Sequence, residues 1–320
     1  MSMSPTRPMD APPPRIAVIV PCYNEAVAIA KVVADFRAAL PEAAIYVYDN
    51  NSSDDTAAVA RAAGALVRRE MLQGKGNVIR RAFADVEADL YVLVDGDDTY
   101  DAAAAPAMVE LLRREGLDMV NGARVTDIEK AYRPGHRLGN QVLSGMVRLV
   151  FGDRISDMLS GYRVFSRRFV KSFPALSGGF ETETEFTVHA LDLKMPVGEV
   201  ATAYKDRPAG SVSKLRTYSD GVRILRTIVV LVKEERPLQF FTVTGLVLLA
   251  LAILLGVPVV GEFLRTGLVP RLPTAVLAMG VGMLAALSFA CGLVLDSVAR
   301  GRKEIKRLAY LAIPAPPPLA

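Results

Sequence analysis

The segment Leu90-Tyr91-Val92-Leu93-Val94-Asp95-Gly96-Asp97-Asp98 ends an apolar run on three carboxylates and one glycine. Carboxylates this close repel one another unless a cation sits between them. Hard oxygen ligands suit Mg2+ or Mn2+, and such an ion bridges in turn to phosphate oxygens. This acidic strand end is therefore expected to form a metal-diphosphate site; the plain alternative is a solvated acidic turn. Two histidines, His136 and His189, stand far apart, which argues against a zinc site or a His-dependent nucleophile. The two cysteines, Cys22 beside a strand end and Cys291 in an apolar run, do not suit a structural disulfide.

The elements that must carry these groups alternate. Ile16 to Val20 is a short β-branched run stopped by Pro21, and Ala26 to Leu40 has helical spacing at Ile29, Val32, Val33, Phe36 and Leu40. Ala44 to Tyr48 reads as a strand leading into Asp49-Asn50-Asn51-Ser52-Ser53-Asp54-Asp55-Thr56, whose Ser and Asp residues are good caps for a helix from Thr56 to Ala63. Ala65 to Val67 is a short third strand, and Gly74-Lys75-Gly76 precedes a helix at Val78 to Val86. The Leu90 run reads as a strand buried on both faces, followed by a helix from Ala102 to Glu115 and a strand from Met119 to Ala123 that ends at Arg124. This alternation predicts a doubly wound, mostly parallel sheet, with ligands outside the carboxyl ends of its strands. No G-x-G-x-x-G follows the first strand, and Gly74-Lys75-Gly76 is too short for a Walker A loop. Further on, Gly139 to Phe151 is expected to be a helix, Asp157 to Phe165 a loop entering a strand, and Gly179 to Leu191 a helix carrying Glu181, Glu183 and Glu185. Val197 to Tyr204 is strand-like and leads into a basic loop, Lys205 to Lys214.

The C-terminal part differs in kind. The chain has 320 residues, of which 51% are hydrophobic, and a mean hydropathy of +0.28, a balance that points to membrane segments. Phe240 to Val260 and Thr274 to Leu295 are uncharged and near the length a spanning helix needs. Tyr218 to Lys233 has apolar residues at helical spacing punctuated by Arg223, Arg226 and Lys233, as an interfacial helix does. Lys233 and Arg236 precede the first apolar segment, and Arg300, Arg302, Lys303, Lys306 and Arg307 follow the second, so the positive-inside rule puts both ends in the cytosol. Residues 1–14 are expected to be a disordered tail without the apolar core of a signal peptide. The net charge of +4 is modest, and no nucleic-acid partner is expected.

Pro21-Cys22-Tyr23-Asn24-Glu25, then Asp49 with Ser52, Asp54 and Thr56, then Gly74-Lys75-Gly76, then Asp95-Gly96-Asp97 form an ordered series that resembles the nucleotide-sugar domain of family 2 glycosyltransferases, which have the GT-A fold. Ser160-Gly161-Tyr162-Arg163, with Asp157 upstream and Ser213-Lys214 downstream, narrows the resemblance to the polyisoprenyl-phosphate glycosyltransferases, the dolichol-phosphate mannose synthase and undecaprenyl-phosphate glucosyltransferase group. It covers about Ile16 to Arg216 and the C-terminal hairpin.

The resemblance implies an inverting transfer of one sugar from a nucleotide-diphosphate donor to a polyisoprenyl phosphate at the cytosolic membrane face. Pro21, Tyr23, Glu25 and Asp49 would hold the nucleoside, Lys75 would approach the base or diphosphate, and Asp95 and Asp97 would hold Mg2+ or Mn2+. A lipid phosphate is already ionised and needs cations rather than a general base. Arg124, Arg137, Arg163, Arg207 and Lys214, with Ser213, are the implied phosphate ligands, and Asp97, Arg124 and Arg163 the implied catalytic set. Glu181, Glu183 and Glu185 either position donor hydroxyls or form a solvated face, the latter favoured for Glu183. Asp98 and Thr99 stand where relatives often carry an apolar residue and a glutamine, and Asn50 where they often carry an acid.

The implied organisation is a GT-A domain over 15–216, an interfacial helix over 217–236, a transmembrane hairpin over 237–297 and a basic, then Pro-rich, tail over 298–320. The expected location is the inner membrane, multi-pass, with the catalytic domain and both termini cytosolic. Self-association through the membrane helices is a further expectation. Two alternatives compete. A processive polysaccharide synthase is disfavoured because the chain has no tryptophan for the Gln-x-x-Arg-Trp motif and too few spans for a channel. A catalytically inactive assembly partner is disfavoured by the intact carboxylates and basic loop.

Overall fold

The computed structural model describes residues 13–125, 155–179, 181–208, 229–230 and 232–316. The helix expected at 139–151, Arg137, Ser213, Lys214 and most of the expected interfacial helix lie outside the described residues. The chain divides into two units: Met1–Ile224 with Arg307–Ala320, and Leu225–Lys306.

In the first unit the elements run β1 (Ile16–Cys22), α1 (Ile29–Ala39), β2 (Ala44–Asp49), α2 (Thr56–Ala62), β3 (Leu66–Arg69), α3 (Lys75–Asp85), β4 (Leu90–Leu93), a 3-10 turn at Ala102–Ala104, α4 (Ala105–Glu115), β5 (Met119–Val125), β6 (Arg163–Ser166), α5 (Arg167–Ser172), α6 (Thr182–Asp192) and β7 (Val197–Ala203). The strands form one sheet in the order β3-β2-β1-β4-β6-β5-β7. β6 alone runs against its neighbours, pairing antiparallel with both β4 and β5. The remaining strands share one direction, so the carboxyl ends of β1, β2, β4, β5 and β7 gather on one edge with the start of β6.

The apolar runs in β1 and β4 are buried on both faces because successive side chains enter different cores. Val18, Val20 and Cys22, with Leu90, Val92 and Val94, join α1 and α4 residues such as Val33, Phe36, Met108 and Leu112. Ala17 and Ile19, with Tyr91 and Leu93, join Ile79 and Phe83 of α3, Phe169 of α5 and Phe186 of α6. Phe165 stacks on Phe169 with ring centroids 4.5 Å apart, at the centre of the second core. Fully burying one such ring stabilises by roughly 2–3 kcal/mol. Helix α5 was not expected from periodicity because it is six residues long. Its start is marked by Ser166, whose Oγ accepts from the Phe169 N–H at 3.1 Å and donates to Asp118 Oδ1 at 2.7 Å.

The second unit is built from α7 (Pro237–Thr266) and the greater part of α8 (Leu272–Leu311). Gly267, in the left-handed conformation at φ 72°, ends α7 and donates its N–H to Phe263 O at 2.8 Å. Both helices are long and apolar enough to cross a membrane. They face each other at two glycines: the Phe289 ring lies over Gly245, and the Phe241 Cβ lies over Gly292. Close approach of this kind replaces hydrophobic driving force between apolar helices. Their outward residues, among them Leu246, Val247, Leu254, Leu284 and Leu287, are exposed.

Candidate active site

The strand order reverses between β1 and β4, and the loops leaving these strands form the crevice where open sheets bind ligands. Three non-glycine residues with left-handed backbone stand in the loops after β1, β2 and β4: Asn24 (φ 55°), Asn51 (φ 64°) and Asp98 (φ 57°). Asx side chains tolerate that region. The β1 and β2 loops are stapled together. Asn24 N–H donates to Ser52 Oγ at 2.9 Å, Glu25 N–H to Thr56 Oγ1 at 2.8 Å and Ala26 N–H to Asp54 Oδ2 at 3.1 Å. The Ser52, Asp54 and Thr56 spacing therefore holds the Pro21–Glu25 loop in place. Glu25 and Asp49 are buried beside it and Tyr23 is exposed.

Asn50 explains its departure from the acidic residue common in relatives. Its Nδ2 donates to Glu70 O (2.9 Å) and Leu72 O (2.8 Å), and its Oδ1 accepts from Gly74 N–H (2.7 Å). A carboxylate cannot make the two donations. Asn50 thus fixes the turn that delivers Lys75 at the start of α3.

Lys75 Nζ is buried 2.5 Å from both Asp95 Oδ1 and Glu183 Oε1. Burial alone would lower its pKa, but the Asp95 and Glu183 charges outweigh burial and hold it above its ordinary value. Glu183 was expected on a solvated face; it is instead buried, because the first turn of α6 packs over the Lys75 ammonium. Burial, then the Asp95 charge, work against Lys75 to raise the Glu183 pKa. Glu185 is buried as well and accepts the N–H groups of Leu176 and Ser177 at 2.9 and 3.0 Å. Glu181 Oε2 and Glu183 Oε2 are buried without a hydrogen-bond partner among the described residues.

Asp97 stands under Thr99, which donates from Oγ1 (2.6 Å) and N–H (3.3 Å) to Oδ1. Arg207 Nη2 lies 2.6 Å from Asp97 Oδ2. Burial, followed by the charge of Asp95, raises the Asp97 pKa. A divalent cation would relieve that like-charge load. Among the described residues no group of three or more His, Cys, Asp and Glu side chains is arranged to hold a metal. A pair of hard carboxylates suits an ion that completes its shell with water and phosphate oxygens, so Asp95 and Asp97 fit Mg2+ or Mn2+. Asp98 turns away from them, pairing with Lys31 at 3.0 Å.

The loop before β6 supplies the opposite wall. Arg124 Nε and Nη2 meet Asp157 at 2.7 and 2.8 Å, and the guanidinium lies over the Tyr204 ring at 5.5 Å. Burial opposes ionisation of Asp157, yet Arg124 holds its pKa below the usual carboxylate range. Glu199 accepts the Ser156 and Asp157 N–H groups, Tyr100 Oη accepts the Gly161 N–H at 2.8 Å, and the Gly161 backbone packs against Asp95 with no room for a Cβ. Neither Glu199 nor Tyr100 could be identified from sequence, since each acts on a loop far along the chain.

Arg163 requires a correction. Expected to bind acceptor phosphate, it is fully buried. It points inward from β6 and donates to Met158 O (2.6 Å), Ser160 O (3.1 Å) and Thr187 Oγ1 (3.0 Å). Burial pulls its pKa down to about 10. Arg163 therefore braces the 157–161 loop and is not presented to a ligand. Of the other expected phosphate ligands, Arg124 and Arg207 are placed at the carboxyl edge of the sheet, while Arg137, Ser213 and Lys214 are not among the described residues.

Comparison with known proteins agrees with this architecture. The model of Glycosyl transferase family 2 matches residues 17–173. Glycosyltransferase AglJ of Haloferax volcanii is 35% identical over 239 residues, which cover 73% of this chain and 77% of that protein. The dolichyl-phosphate hexose transferase of the same organism is 28% identical over 221 residues, 69% of this chain and 95% of that protein. Glucosyl-3-phosphoglycerate synthase from Mycobacterium tuberculosis, solved in complex with Mn2+, uridine-diphosphate-glucose and phosphoglyceric acid, superimposes with a TM-score of 0.55 at 22% identity, covering 68% of this chain and 79% of that one. The shared feature with that structure is the fold.

Proposed function

The chain belongs to glycosyl transferase family 2, and from that premise we propose that it transfers a single sugar, with inversion, from a nucleoside-diphosphate donor to a polyisoprenyl phosphate at the cytosolic face of a membrane. The observation that carries the proposal is the gathering of Asp95, Asp97, Lys75, Arg124 and Arg207 on the carboxyl edge of the sheet, in a chain that also bears two helices able to span a bilayer. The relative named dolichyl-phosphate hexose transferase supports a lipid-phosphate acceptor.

In this scheme the stapled Pro21–Glu25 loop, Tyr23 and Asp49 bind the nucleoside. Asp95 and Asp97 would hold a divalent cation, which when bound neutralises charge on the departing nucleoside diphosphate. Lys75 pairs with Asp95 and orients it. Arg207 offers a guanidinium to the acceptor phosphate, whose ionised oxygen attacks the anomeric carbon without a general base. Arg124, clamped by Asp157, lends the same wall positive charge. The two apolar helices anchor the protein in the membrane, and the basic residues after the second favour a cytosolic C-terminus.

A screen of nucleoside-diphosphate sugars against undecaprenyl phosphate, with products resolved by mass spectrometry, tests the proposal. One lipid-linked monosaccharide from one donor is the expected result. A polymer, or full activity in Asp97→Ala, would overturn it.

A further inference from the structure

Both oxygens of Asp97 are taken. Oδ1 accepts from Thr99, two residues along the same turn. Oδ2 faces the Arg207 guanidinium at 2.6 Å. The two partners differ in how they are held. Thr99 cannot leave without unmaking the turn after β4. Arg207 lies beyond β7, attached through the Tyr204 bridge to Tyr100 and the Lys205 N–H donated to Thr99 O at 2.8 Å. Those backbone contacts hold the strand end from which the long Arg207 side chain reaches Asp97. The Asp97 carboxylate is buried while Arg207 keeps 26% of its side chain exposed, so exchange occurs on the arginine side.

We infer that Arg207 competes with the divalent cation for Asp97 Oδ2, so that cation loading frees the guanidinium for the acceptor phosphate. The inference rests on the metal-site and acceptor assignments proposed above. Two positive groups cannot share one carboxylate oxygen at contact distance without strong repulsion. A cation that takes Oδ2 releases a planar donor suited to bidentate phosphate binding. Linkage makes the effect reciprocal: phosphate engaged by Arg207 leaves Asp97 open to the cation, so the metal-loaded donor and the acceptor phosphate favour each other's binding.

The test is Mn2+ binding to the full chain in detergent, without donor or lipid, followed by the electron paramagnetic resonance signal of free Mn2+. Arg207→Gln is expected to bind Mn2+ about tenfold more tightly than wild type. Lys205→Gln removes the same charge nearby, where Lys205 faces Asp101 at 3.7 Å and not Asp97. It is expected to change affinity by less than about threefold. Equal effects of the two variants, or no gain in Arg207→Gln, would overturn the competition while leaving the metal site standing. Unchanged Mn2+ binding in Asp97→Asn would overturn the metal site itself, and the inference with it.

Discussion

Lys75 Nζ lies 2.5 Å from Glu183 Oε1, joining residues 108 apart in the chain. The ammonium is shared with Asp95, so the buried Glu183 carboxylate and the half-buried Asp95 carboxylate depend on one cation. Lys75→Met is expected to cost about 3–5 kcal/mol, because it leaves both uncompensated. Adding Glu183→Gln should recover part of that loss, with a coupling of at least ~1 kcal/mol. Denaturant unfolding of wild type, both single variants and the double variant checks this; strictly additive losses would contradict the shared-cation geometry.

Asn50→Asp replaces two hydrogen-bond donations by repulsion from the Glu70 and Leu72 carbonyls. The expected cost is about 2–4 kcal/mol, and it should exceed that of Asn50→Ala, which removes the bonds without adding charge. The donor KM should rise in both variants as the Gly74–Lys75 turn loosens. Thermal unfolding together with donor titration measures the two effects.

Arg163→Lys tests an internal brace against a ligand contact. Lysine lacks the planar fork that reaches the Met158 and Ser160 carbonyls and the Thr187 hydroxyl together. The variant should lose about 2–4 kcal/mol of stability, with buried carbonyls left unpaired. Weakened acceptor affinity in a protein of unchanged melting temperature would instead return Arg163 to the phosphate site.

The Arg124–Asp157 clamp sets a pH dependence. The Asp157 pKa is depressed in the fold. Its stabilisation is therefore complete above the ordinary carboxylate value of about 3.9 and is lost as pH falls through the lower folded value. The difference in melting temperature between wild type and Asp157→Asn should narrow as pH is taken from about 5 towards 3. A gap that stays constant over that interval would contradict the assignment.

The sheet and its acidic edge were legible because the Leu90 run is apolar without alternation, which marks a strand covered on both sides, and because carboxylates ending such a strand sit at its carboxyl end. The antiparallel course of β6 was not legible, since an apolar pattern carries no direction. Arg163 was misplaced for a related reason: a residue at a strand start faces in or out according to register, and two-residue alternation cannot fix that over four residues. Glu183 reads locally as part of a solvated face because its partner Lys75 belongs to another helix, and charge pairing across 108 residues leaves no local trace. Asn50 departs from an acidic residue, but the reason lies in the Glu70–Gly74 turn packed against it, which the residues around position 50 do not reveal.

The reversed direction of β6 has a consequence for how such a protein can diversify. Val125 at the end of β5 and Arg163 at the start of β6 both stand on the edge where the carboxyl ends of the parallel strands gather. A connection between two ends on one side of a sheet can change in length or sequence without re-threading any strand. Change there leaves untouched the β1–β4 half of the sheet that presents Asp95 and Asp97.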